Sequence, residues 1–197
     1  MLDRGSFLFD AGPLRAVELD ASDVPALQDF FESNPEYFFN VGGQPPAPDE
    51  ALQELRDAPP ADITFSRKWL LGFVDDAGAL VAMANVVSDF LADGVWLIGL
   101  FVVASPLHGT GTSATVYRAL ESWVHAGGAR WLRLAVVVGN AKPERFWCKV
   151  GYTDVRRRTG VVMGQRVNSL RIMVKPLAGG EVSEYLALVA RDRLEAP

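Results

Sequence analysis

Between an apolar run at residues 95–104 (VWLIGLFVVA) and a helical pattern at residues 112–126 lies a turn of six residues, His108, Gly109, Thr110, Gly111, Thr112 and Ser113, whose types suit a phosphate. Backbone N–H groups at a helix start have no intrahelical partner, and the helix dipole adds partial positive charge there, so an anionic diphosphate docks without a lysine. Glycines let such a ligand approach the backbone closely. Two nucleotide-binding patterns compare poorly with this turn. A P-loop requires Gly-Lys-Ser/Thr, and no lysine follows the glycines here. A dinucleotide turn fits better, with Gly109, Gly111 and Ala114 at G-x-G-x-x-A spacing. The ribose-binding acid expected about 20 residues later is missing, however, and Leu134 stands near that place.

The elements that must hold this turn follow from periodicity. A strand is expected over residues 14–19. A helix follows, opened by Asp20 or Ser22 and running to Ser33, with Val24, Leu27, Phe30 and Phe31 at helical spacing. Asn34-Pro35 ends it. Residues 36–48 (EYFFNVGGQPPAP) read as an irregular loop, either a pocket wall or a surface loop anchored by Tyr37 and Phe38, before a short helix from Asp49 to about Pro59. Residues 68–74, 80–90 and 95–103 read as a meander with polar turns at Asp75-Asp76-Ala77-Gly78 and Asp93-Gly94, and Gly99 marks a bulge or a close backbone approach. A helix over 112–126 with Val116, Leu120 and Trp123 on one stripe, a strand over 131–137, a helix over 143–150 stopped by Gly151, and strands over 152–158 and 169–175 complete the order. This predicts an α/β (α+β) domain around a mixed, mostly antiparallel central sheet flanked by helices. Residues 1–177 read as one domain. Residues 178–197 read as a C-terminal extension whose Val182, Tyr185, Leu186 and Val189 suit a helix, with a frayed end as the alternative.

Bulk properties narrow the partners. The formal net charge of -5 offers no attraction to nucleic acid or to an anionic membrane. No apolar stretch approaches the ~18 residues of a membrane span, and the apolar residues 7–9 are too few for a secretory signal. Cys148 is the only cysteine, which rules out an internal disulfide and suits a reducing compartment, so a cytoplasmic protein is expected. His108 and His125 have no cysteine or carboxylate cluster at ligand spacing, and no metal site is predicted. Arg156, Arg157 and Arg158 read as a solvated strand.

From Leu100 to Tyr152 the chain resembles the GCN5-related N-acetyltransferase superfamily, whose Gln/Arg-x-x-Gly-x-Gly/Ala signature aligns with His108 to Ser113 and keeps the central Gly111. Asn140, Phe146, Trp147, Gly151 and Tyr152 resemble the family's second block, N-x-x-x-x-x-FW-x-x-x-GF. His108 replaces the usual arginine or glutamine, Ser113 replaces a small residue, and Trp147 stands where many relatives carry the tyrosine that protonates the departing thiolate.

The resemblance implies a sheet whose fourth and fifth strands splay apart, and transfer of an acetyl group from acetyl-CoA directly to a primary amine of a small molecule or peptide, with both substrates bound together and no metal. It implies a coenzyme site made of Phe101, Val102 and Val103 along the splayed strand, His108, Gly109, Thr110, Gly111, Thr112 and Ser113 at the turn, and Asn140 and Trp147. A backbone N–H near Phe101 or Val102 would face the developing oxyanion. An alkyl ammonium, with a pKa of about 10.4, must lose a proton before it attacks. The strand over 95–103 carries no carboxylate, so Asp89 is the base expected, ahead of Asp93, and Tyr152 or Tyr117 is the substitute acid. A non-catalytic acyl-CoA-binding or sensory domain of the same fold is the alternative that Trp147 raises, and a homodimer stays open.

Overall fold

The structure is a computed structural model that describes residues 6–195. The long strands β3 (Arg67–Val74), β4 (Leu80–Ser88) and β5 (Val95–Val103) form the predicted antiparallel meander. Their apolar runs are nearly continuous because both faces of the sheet are covered. On one face lies α4 (Thr112–Ala126), which buries Val116, Tyr117, Leu120 and Val124 against Phe73, Ala84 and Leu132. On the other lie α1 (Val24–Ser33), α2 (Glu36–Gly42) and α3 (Glu50–Arg56), which pack Leu27, Phe31, Phe38 and Ala51 against Leu70, Met83 and Leu100. Each such fully buried large side chain contributes about 1.5–3 kcal/mol of transfer free energy.

The sheet begins with β1 (Ser6–Ala11) and β2 (Leu14–Glu18) and continues past β5 with β6 (Trp131–Val137), β8 (Arg166–Pro176) and β7 (Thr153–Met163). Among the described residues these eight strands run in the order β1-β2-β3-β4-β5-β6-β8-β7. The pairing of β5 with β6 is parallel and the others are antiparallel. The sheet is therefore mixed and mostly antiparallel, with helices on both faces. The β5–β6 register covers Val95↔Trp131, Trp96↔Leu132 and Leu97↔Arg133 only. Beyond Leu97 the two strands part and leave a wedge, so the splayed pair is the fifth and sixth strand of this chain rather than the fourth and fifth.

The shift in numbering comes from β1, which lies outside the elements read from sequence. Its apolar run is short, and Gly12-Pro13 closes it into a hairpin with Ala11 opposite Leu14. Residues 36–42, expected to be loop, instead form α2 directly after Pro35, held by Phe38 against Phe31 at 5.1 Å between ring centroids. The final hairpin is also longer than its apolar core indicates, because cross-strand pairing continues to Met163↔Arg166 on both solvent-facing arms.

The tail packs back onto the sheet. Helix α6 (Val182–Leu188) places Tyr185 and Val189 against Trp131, Ile172 and Val174. Beyond it Asp192, with no exposed surface, accepts hydrogen bonds from Arg133 Nε at 2.7 Å and Nη2 at 3.0 Å and from the Tyr185 hydroxyl at 2.6 Å. No helix among the described residues is long and apolar enough to cross a membrane.

Candidate active site

The wedge between β5 and β6 is where the sheet leaves backbone groups of adjacent strands unpaired with one another. Its start coincides with a β-bulge: Asn85 pairs with Leu100 and Val86 with Ile98, so Gly99 is the extra residue of β5. A bulge bends the strand and increases its local twist, which turns β5 away from β6. The predicted irregularity at Gly99 is thus the point at which the wedge opens. At its floor, between β5, α4 and α5 (Ala141–Lys149), the ring of Phe101 stacks on Phe146 at 6.1 Å, and Trp147 meets Phe101, Tyr117 and Tyr152 at 5.6, 5.4 and 5.3 Å.

At the far end of β5, His108 Nε2 donates to the Val103 carbonyl at 2.8 Å, and the Ser105 N–H donates to Asn34 Oδ1 at 2.7 Å, which ties the connection to α1. Gly111 is the N-cap of α4 in the left-handed region, with φ 93°, and no side chain caps the helix. Gly109 also has positive φ, at 80°. A Cβ placed on either glycine would meet nothing within 4 Å, so the turn needs glycine for its backbone conformation and faces open space. Thr110 Oγ1 donates to the Leu107 carbonyl at 2.7 Å and lies 2.8 Å from Thr112 Oγ1, which stiffens the turn. Thr112 and Ser113 begin α4 and are half-buried. Asn140 is the N-cap of α5, on the opposite bank of the wedge, with its side chain making no capping bond. Of the predicted coenzyme residues, Phe101, Val102 and Val103 lie on β5 beyond its pairing with β6, His108 to Ser113 lead into α4, Asn140 caps α5, and Trp147 lies at the wedge floor with its indole in the core, 7% exposed.

Of the two residues singled out for acid–base work, Asp89 stands apart from the wedge and Tyr152 is buried beneath its floor. Asp89 has φ 51°, and its Oδ1 accepts the N–H of Gly94 at 2.8 Å, so its carboxylate closes the connection from β4 to β5. Aspartate is among the few residue types that visit this conformation readily. Tyr152 is 4% exposed beneath Trp147, and burial holds its phenol well above the ordinary value, as burial and Tyr152 together do for Tyr117. The Tyr117 hydroxyl donates to Glu121 Oε2, which also pairs with Lys175.

A cavity of about 490 Å³ opens on the α1–α3 side of the sheet and reaches Leu97, Gly99 and Leu100 of β5, where the wedge begins. Its far wall is the tip of the β7–β8 hairpin, where Gly164 docks so tightly on α2 that a Cβ would lie 2.7 Å from the Gly42 carbonyl oxygen. Glu54 of α3 reaches into it, and its Oε1 accepts a hydrogen bond from Asn85 Nδ2. Burial raises the Glu54 carboxyl above its ordinary value, against the opposing pull of the Asn85 hydrogen bond and the Lys68 charge. Lys68 Nζ donates to the Glu54 and Asp57 carbonyls at the end of α3, and burial lowers its own value. Glu54 was not among the residues read from sequence. The available signal was its helical spacing from Glu50, on a helix following the aromatic segment that reads as either a pocket wall or a surface loop.

The sequence matches no protein-family model and no curated protein. Solved structures do match. A GCN5-related N-acetyltransferase from Kribbella flavida superposes with a TM-score of 0.61 at 20% identity, over 83% of this chain and 98% of its own. An acetyltransferase from Thermus thermophilus gives 0.64 at 20% identity, over 85% and 99%. The fold is that of the GCN5-related N-acetyltransferases. Spermidine N-acetyltransferase from Vibrio cholerae, solved with CoA and spermine, gives 0.65 at 15% identity over 84% of this chain and 96% of its own. In this chain the cavity and the start of the wedge meet at the Gly99 bulge.

Proposed function

We propose that the protein is an N-acetyltransferase that moves an acetyl group from acetyl-CoA to a primary amine by direct attack while both substrates are bound. The observation that carries this reading is the meeting of wedge and cavity at one bulge: Leu97 is the last residue of β5 paired with β6, and Leu97, Gly99 and Leu100 line the cavity. The open edge of β5 beyond Leu97, with Phe101 and Val102, offers backbone groups to an amide-bearing pantetheine arm in the manner of an added strand. Gly109, Gly111 and the uncapped start of α4 offer N–H groups and open space to a diphosphate. Acetyl-CoA supplies an activated carbonyl, and the leaving thiol, with a pKa of about 8.5, departs as thiolate without an obligatory acid.

The cavity and its half-buried carboxylate favour an enzyme over a non-catalytic acyl-CoA sensor, which needs no second site beside the acyl group. Incubation of the purified protein with acetyl-CoA and a panel of primary amines, following free thiol, tests this directly. Amine-dependent thiol release supports transfer. Tight coenzyme binding without release supports the sensor, and absence of coenzyme binding at millimolar concentration removes both.

A further inference from the structure

Asn85 connects the bulge to the cavity. It pairs with Leu100 across the bulge, a Cβ on Gly99 would lie 3.5 Å from its Cγ, and its Nδ2 donates to Glu54 Oε1. The Glu54 carboxylate is therefore held one side chain away from the place where β5 leaves β6. Asn85 Oδ1 is buried and makes no hydrogen bond within the protein. A buried acceptor without a donor is costly, and an N–H from a bound ligand removes that cost. We propose that Glu54 is the base that takes a proton from the acceptor ammonium, with Asn85 orienting it and receiving an N–H of the same nitrogen through Oδ1, and that the acceptor is a compact primary alkyl- or arylalkyl-ammonium without a neighbouring carboxylate. This rests on the acetyl-transfer reading above.

The cavity's chemistry supports that class. The titratable groups on its walls are Tyr37 from α2, Glu50, Glu54 and Asp57 from α3 and the residue after it, and Lys68 from β3. Lys68 directs its donors to backbone carbonyls at the end of α3, and the three carboxylates leave the cavity negative. A cation is favoured there and a carboxylate-bearing amine is repelled. Phe38, Val87, Phe90, Leu97 and Leu100 provide apolar walls for a hydrocarbon body. The raised carboxyl of Glu54 moves its proton affinity toward that of a useful base.

The step balances as follows. Glu54 accepts one proton from the ammonium, and the freed nitrogen lone pair forms the C–N bond at the thioester carbonyl as the C–S bond breaks. The thiolate takes up the second nitrogen proton to leave as thiol. Glu54 then returns its proton to water, so amide, thiol and one proton are the products.

The test uses phenethylamine and phenylalanine as acceptors with the full chain. Phenethylamine is expected to outperform phenylalanine about tenfold or more in kcat/KM. Glu54→Gln is expected to lower kcat/KM for phenethylamine about 100-fold near neutral pH, with acetyl-CoA affinity unchanged as the check on folding. In wild type the rate falls as pH drops through the Glu54 value and is level above it. In Glu54→Gln it climbs about tenfold per pH unit toward the amine's own pKa of about 10.4, because only pre-formed neutral amine reacts. Asn85→Ala removes a bond that lowers the Glu54 value, so its acid limb moves to higher pH, a readout that a purely structural role would not give and that decides the matter if Glu54→Gln does not fold. Transfer by wild type with an unchanged rate and profile in both variants overturns the assignment of Glu54. Equal or better use of phenylalanine overturns the substrate class, and no transfer to any amine overturns the acetyl-transfer reading itself.

Discussion

Gly111 shows how one residue can be needed for its backbone alone. With φ 93° and nothing within 4 Å of the place a Cβ would occupy, an added side chain would be strained but would not clash. Gly111→Ala is expected to cost about 1–2 kcal/mol of stability, the cost of a left-handed L-residue, and to weaken coenzyme binding as the N-terminal donors of α4 shift. Chemical denaturation and calorimetry measure the two effects separately. Asp192 is the opposite case, a residue defined by its partners. Burial alone would raise its carboxyl, but the hydrogen bonds and charge of Arg133 and the Tyr185 hydroxyl outweigh burial and hold it below the ordinary value. Its contribution to stability is therefore complete above the unfolded value of about 3.9 and is lost as pH falls through the lower folded value. Asp192→Asn leaves Arg133 buried without a counter-charge and is expected to cost about 3–5 kcal/mol at neutral pH. The gap between wild type and variant in urea melts should narrow below about pH 4.

At the level of elements, the bulge in β5 is where the wedge and the cavity meet. A Cβ on Gly99 would sit at ordinary contact distance from Asn85, and the residue lacks positive φ, so alanine is accommodated there. A larger side chain projects into the cavity. Gly99→Leu is expected to raise KM for an amine acceptor about tenfold or more while leaving acetyl-CoA affinity nearly unchanged, which steady-state kinetics with each substrate varied would establish. This prediction separates the cavity from the wedge, because a coenzyme effect of equal size would mean that the bulge serves the coenzyme alone. The elements that periodicity missed share a cause. The β1 strand is short and finds its place by pairing with β2 and by Phe9 stacking on Trp123 of α4, and α2, with the sequence EYFFNVG, is a helix because Phe38 docks on Phe31 rather than because its residues favour one.

For the molecule as a whole, the proposed coenzyme binding across β5, α4 and α5 should couple to global stability. At a hundredfold excess over Kd, acetyl-CoA adds about 2.7 kcal/mol, which for a chain of this size raises Tm by about 5–10 °C. A dinucleotide such as NAD should give no comparable shift, and a thermal melt with each ligand checks both. The sequence by itself determined the glycine turn before α4, the apolar meander, an irregularity at Gly99 and the sheet class, because each is written in contiguous residues through local conformation and periodicity. Tertiary structure alone decided that Glu54 meets Asn85 from 31 positions away and that Arg133 meets Asp192 across 59. Such meetings depend on how whole elements pack, and nothing in the local pattern of either partner encodes them.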